Sequence, residues 1–128
     1  MVTAQEYKIL IIDDDPFILD MYVLKFKEVG FQIETAKNGK EGLQKITDTK
    51  PNAVLLDVVM PIMDGFEVLR HLAKEKTLEE TKVILLTNLG QKYDIERGLK
   101  LGAKDYIIKA HFTPSQVVDK VKSVLGIT

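Results

Sequence analysis

Five short apolar runs, each released into a polar loop and separated from the next by a helical pattern, constrain this chain's fold more than any other feature. They occupy residues 9–12, 31–35, 53–56, 83–86 and 106–108. Runs of strand length alternating with helices predict a parallel sheet built from βα units. The first, third and fourth runs are apolar without interruption, as strands covered by helices on both faces must be, whereas Phe31-Gln32-Ile33-Glu34-Thr35 alternates like an edge strand. With right-handed crossovers the strand order is then 2-1-3-4-5, and the switch point lies between strands one and three. The expected fold class is α/β, a doubly wound five-stranded parallel sheet with five helices.

The helices carry their own signals. Asp15-Pro16 reads as an N-cap followed by proline at the first helical position, Ile18, Leu19, Tyr22, Val23 and Phe26 mark one apolar face, and Gly30 ends the helix. A second helix is expected over residues 40–48 with Leu43 and Ile46 inward, and a third over 65–75 with Phe66, Leu69, Leu72 and Ala73 inward. The fourth, over 93–101, holds Gly98 and few apolar positions, which predicts a more mobile segment. Thr113-Pro114-Ser115-Gln116 fits a capping box ahead of Val117, Val118, Val121, Val124 and Leu125.

Bulk properties narrow the function. With 128 residues, 45% of them apolar, the chain is expected to form one domain over residues 1–128. Lys and Arg (18) nearly balance Asp and Glu (19), giving a net charge of -1. No global field favours nucleic acid or an anionic membrane, so direct DNA binding by this chain is not expected. The lack of cysteine removes disulfides, thiol catalysis and Cys-based zinc sites. The polar stretch 1–8, and the lack of any run near the roughly 20 apolar residues of a membrane span, favour a soluble cytoplasmic protein.

Ligands of such sheets bind outside the carboxyl ends of the strands. There the sequence delivers Asp13 and Asp14 after strand one, Asp57 after strand three, Thr87 after strand four and Lys109 after strand five. Converging carboxylates hold either protons or a cation, and magnesium suits oxygen ligands. Asp15 is assigned to capping the first helix rather than to the site. Asp57 follows a buried run, and a rigidly held carboxylate can attack phosphorus. Phosphoryl transfer depends on in-line positioning and on cations around the equatorial oxygens. Lys109 supplies an ammonium and Thr87 a hydroxyl donor. Met60-Pro61-Ile62-Met63-Asp64-Gly65 reads as a defined loop ahead of a helix. His71 and His111 have no partner at metal-ligand spacing and read as structural or solvated.

These stretches resemble a known family. Ile11-Ile12-Asp13-Asp14-Asp15-Pro16, Leu55-Leu56-Asp57-Val58-Val59-Met60-Pro61-Ile62-Met63-Asp64-Gly65, Leu85-Leu86-Thr87 and Gly102-Ala103-Lys104-Asp105-Tyr106-Ile107-Ile108-Lys109 look like the receiver domain of two-component response regulators. The resemblance implies a flavodoxin-like fold. It implies that Asp57 accepts a phosphoryl group from the phosphohistidine of a sensor histidine kinase or phosphotransfer protein. Asp14, Asp57 and the Val59 backbone carbonyl would bind magnesium, with Asp13 acting largely through metal-bound water. Thr87 and Lys109 would bind the phosphoryl oxygens. Tyr106 would change rotamer with Thr87 and report to a surface of the fourth helix, fifth strand and fifth helix, where a downstream protein partner binds. The expectation is a signalling switch rather than an enzyme, catalysing only its own phosphorylation and dephosphorylation, monomeric or dimeric on phosphorylation, with no output domain in this chain.

Some positions depart from the family pattern. Ala110 follows Lys109 where proline is usual, often in a cis bond, and Asn88 follows Thr87 where a smaller residue is usual. Val59 and Leu89 are apolar at positions that tune acyl-phosphate hydrolysis in relatives. Two other function classes fit less well. An aspartyl-phosphate phosphohydrolase needs a second acid two residues beyond Asp57, where Val59 stands, and a cap segment to shape its pocket. A flavin or nucleotide module needs a Gly-rich or Ser/Thr-rich phosphate loop after strand one, where Asp13-Asp14-Asp15 stands.

Overall fold

The computed structural model describes residues 4–127. A 3-10 turn, Ala4–Glu6, leads into β1 (Lys8–Ile12), α1 (Pro16–Val29), β2 (Gln32–Ala36), α2 (Gly39–Thr49), β3 (Ala53–Leu56) and α3 (Gly65–Lys74). A second such turn, Thr77–Glu79, precedes β4 (Lys82–Thr87), α4 (Lys92–Lys100) and β5 (Asp105–Ile108), and a third, Lys109–His111, precedes α5 (Pro114–Leu125). The strands are parallel in the order β2-β1-β3-β4-β5, so the alternating run is the edge and the uninterrupted runs lie inside.

Strand alternation sorts the interior into two layers. Leu10, Ile12, Val54, Leu56, Val83 and Leu85 pack on one face with Ile46 of α2 and Phe66, Val68, Leu69 and Leu72 of α3. Ile9, Ile11, Leu55, Ile84, Leu86 and Ile107 pack on the other with Leu19, Tyr22 and Phe26 of α1 and Val117, Val118 and Val121 of α5. Full burial of one such side chain stabilises by about 1.5–3 kcal/mol, and a one-residue slip would swap the two layers, so the register is firmly set.

The end signals act as expected. Asp15 caps α1, its Oδ1 accepting from the N–H of Phe17 at 2.9 Å and of Ile18 at 3.4 Å. Gly30 closes the helix at φ 109, and Thr113 and Gln116 form the reciprocal capping box of α5. One expectation is corrected: Ala73 is exposed, while Val68 is buried in its place. Helical period tells which way a residue points, not where the covering layer ends. In α4 the inward positions are Asp94 and Gly98 rather than apolar residues. Among the described residues no peptide bond is cis, so Lys109–Ala110 is trans. No helix among them is long and apolar enough to cross a membrane.

Candidate functional site

Register brings the site together. Ile12 pairs with Leu56, so Asp13 and Asp57 emerge side by side, each one residue past its strand. Their backbones extend the ladder, the Asp57 N–H donating to Ile12 O and the Asp13 N–H to Ala36 O, both at 3.0 Å. Thr87 pairs with Ile108, so Lys109 follows directly beside it. Gly65 lets α3 begin against this floor, because a Cβ there would stand 2.4 Å from the Asp57 carbonyl oxygen and 2.9 Å from Val58 Cα.

Asp13 and Asp57 are 2% and 7% exposed, whereas Asp14 is exposed. Carboxylate oxygens of the three lie within 4.8 Å of one another. This set of hard oxygen donors fits a magnesium ion, which takes carboxylates and keeps several waters. Lys109 Nζ reaches Asp13 Oδ2 at 2.5 Å and Asp57 Oδ2 at 3.1 Å. Burial pushes the Asp13 carboxyl above its ordinary value despite the opposing pull of Lys109. Burial works to lower the Lys109 pKa, but Asp13 and Asp57 outweigh it and hold the ammonium above its usual value. The remaining oxygens are oriented too: Asp13 Oδ1 accepts from the Asp15 N–H at 3.0 Å, and Asp57 Oδ1 from the Val59 N–H at 3.3 Å.

Above Asp57 lies an open cleft of about 340 Å³ lined by Asp57, Val59, Thr87, Asn88, Leu89 and Lys109, with room for a phosphoryl group. A larger cleft of about 630 Å³ sits at the opposite end of the sheet, near Asn52 and Thr81, and touches none of these residues.

Leu89 joins two of the expected residues. Its N–H donates to Thr87 Oγ1 at 3.3 Å, and its carbonyl accepts from the Tyr106 hydroxyl. Burial, then the carboxylates of Asp94 and Asp57, push the Tyr106 phenol up to about 12. Gly98 admits the Tyr106 ring against α4, since a Cβ there would meet ring carbon Cδ2 at 3.1 Å.

The structure thus gathers Asp13, Asp14, Asp57, Thr87 and Lys109 at one mouth, with Val59 on its rim and Tyr106 one bond away through Leu89. Sequence reasoning missed three features. Asp94 is 2% exposed, and its Oδ2 is the one buried side-chain oxygen among the described residues without a hydrogen-bond partner. The Ala110 N–H donates to Asn88 Oδ1 at 3.1 Å. Phe17, Met21 and Leu24 form an exposed apolar stripe on α1, and Val59 and Ile62 extend apolar exposure along the loop after β3. The i, i+4, i+7 spacing of the α1 residues was a visible signal, hidden by the stronger inward stripe beside it.

Residues 9–122 match the profile of the Response regulator receiver domain. The chain is 37% identical over 121 residues to "Probable transcriptional regulator ycf27" of Pyropia yezoensis, covering 94% of this chain and 48% of that protein. It is 36% identical over 118 residues to "Alkaline phosphatase synthesis transcriptional regulatory protein PhoP" of Bacillus subtilis, covering 92% and 48%. The chain therefore spans about half the length of the curated relatives it matches. Among solved structures, the Francisella response regulator 1452 receiver domain superposes with a TM-score of 0.87 at 32% identity, covering 94% of this chain and 97% of that one. Vibrio cholerae chemotaxis protein CheY4 gives 0.85 at 27%, covering 92% and 98%.

Proposed function

This chain belongs to the response regulator receiver domain family, and from that premise we propose that it is a phosphorylation-driven switch whose acceptor is Asp57. The observation that carries the reading is the setting of Asp57: a buried carboxylate on the floor of the cleft, 3.1 Å from the Lys109 ammonium and beside Asp13 and Asp14.

A carboxylate oxygen of Asp57 attacks the phosphorus of a phosphohistidine, forming the P–O bond as the P–N bond breaks and its electron pair returns to the imidazole. The Thr87 hydroxyl and the Lys109 ammonium meet two phosphoryl oxygens, so two donors are aimed at charge that the transfer redistributes. Asp14, Asp57 and the Val59 carbonyl would hold magnesium, with Asp13 reaching it through water. When bound, the ion neutralises charge on the phosphoryl oxygens.

The response travels through Leu89. When Thr87 turns toward the phosphoryl group, the Leu89 N–H loses its acceptor, and the Leu89 carbonyl that anchors the Tyr106 hydroxyl shifts with it. Tyr106 then changes rotamer, and the α4–β5–α5 face changes its affinity for a downstream protein, with dimerisation as one form of readout.

The phosphodonor, a sensor histidine kinase or phosphotransfer protein, would meet exposed apolar residues at the start of α1 and in the loop after β3. Phe17 is 84% exposed, Ile62 76% and Val59 62%. Ile62 also holds φ 72, a left-handed backbone that a β-branched residue adopts only at a cost. An outward apolar side chain in that conformation supports a docking role. The chain would catalyse only its own phosphorylation and dephosphorylation, in the cytoplasm where such donors act, within one receiver domain. The transcriptional role in the relatives' names belongs to those longer proteins, and a net charge of -1 supports a protein partner here rather than DNA. The test is transfer from a phosphorylated histidine kinase: label should move to the wild-type chain and not to Asp57→Asn. Absence of transfer from any donor, including small acyl phosphates, contradicts the reading.

A further inference from the structure

Thr87 and Lys109 lie on neighbouring chain segments 22 residues apart, and the residues that follow them are tied together. The Ala110 N–H donates to Asn88 Oδ1 at 3.1 Å, joining the loop after β4 to the turn after β5. Ala110 sits in the first positions of the 3-10 turn Lys109–His111, where a backbone N–H has no partner within the turn. Asn88 supplies one. Both ends of this strap are anchored. Leu89, next to Asn88, holds the Tyr106 hydroxyl, while Lys109, next to Ala110, holds Asp13 and Asp57.

We propose that Asn88 is a positioning residue whose bond to Ala110 fixes the spacing between the two chain segments that carry Thr87 and Lys109. The two phosphoryl-binding residues are then carried on one preset frame rather than on two independent loops, so that only the Thr87 side chain has to turn at the moment of transfer. The proposal rests on Asp57 being the acceptor. Asn88 also lines the cleft, so a rival role is mere bulk over Asp57. The two roles predict opposite signs. Truncating bulk speeds access, whereas cutting a strap slows the reaction.

The experiment measures phosphorylation of the full chain by acetyl phosphate with magnesium in Asn88→Leu, which keeps the bulk and loses the acceptor, and in Asn88→Ala, which loses both. Both variants should show a maximal rate lower by about 2- to 10-fold, the range one hydrogen bond supports, with magnesium affinity unchanged. Exchange of the Ala110 amide proton should quicken in both. A faster Asn88→Ala alongside an unchanged Asn88→Leu overturns the strap in favour of bulk, and unchanged rates in both overturn it outright. A wild-type chain that takes no phosphoryl group overturns the acceptor reading itself, and the strap's role with it.

Discussion

The Lys109 ammonium stands 2.5 Å from Asp13 Oδ2, closer than the 3.1 Å that separates it from Asp57 Oδ2. Lys109 is thus a structural counter-ion for two buried acids before it is a ligand for anything else.

Removing that cation should be felt in stability. Lys109 and Asp13 side chains are 11% and 2% exposed, and stripping one partner from a buried pair leaves an uncompensated charge. Lys109→Met should lose about 3 kcal/mol in chelator. Magnesium should then raise the variant's thermal midpoint by more than it raises the wild type's, because the ion takes over part of the neutralising role. Equal magnesium shifts in the two proteins would remove the shared-site argument.

The three consecutive acids divide their labour. Asp15 caps α1, and Asp14 is the exposed member of the acidic cluster. Asp15→Ala should lower stability by about 0.5–2 kcal/mol and leave magnesium binding near wild type. Asp14→Ala should weaken magnesium binding with less effect on stability. Titration and denaturant unfolding of both variants separate the roles, and equal losses of affinity would refute the division.

Tyr106 gives a prediction on the alkaline side. Its phenol is raised from 10.0 to about 12, so the unfolded chain releases this proton first as pH climbs. The stability it contributes is complete below pH 10 and is lost as pH rises toward 12. Tyr106→Phe should start about 1 kcal/mol less stable at neutral pH, through loss of the bond to the Leu89 carbonyl, but decline less steeply across that window. Parallel declines would show that Tyr106 does not titrate in this way.

Hydrolysis of the acyl phosphate should be slow. It needs a water held in line, and the Val59 and Leu89 side chains that line the cleft offer such a water no hydrogen bond. Val59→Asn combined with Leu89→Glu should speed decay of the phosphorylated protein. Unchanged or slower decay would mean that the apolar lining is not what holds water off.

The sequence revealed those parts of the site that strands deliver. Asp13, Asp57 and Thr87 each end or follow a buried run, and pairing fixes where a strand ends. Lys109 could be placed for the same reason, although it opens a 3-10 turn. What escaped depends on helix rotation and loop path. Asp94 reads as an ordinary acid in the first turn of α4, and its burial beside Tyr106 follows from how α4 packs over Gly98. Asn88 and Ala110 each stood out singly, but the bond between them joins two loops whose approach no periodicity encodes. Ala73 sits within the helical arc that also carries Phe66, yet the covering layer ends before it.

The most direct test of the central claim is intact-mass analysis after treatment with a small acyl-phosphate donor and magnesium. One phosphoryl group should be added to the wild-type chain, lost when magnesium is chelated and absent from Asp57→Asn. Equal labelling of the Asp57→Asn protein, or labelling indifferent to the chelator, would contradict that claim.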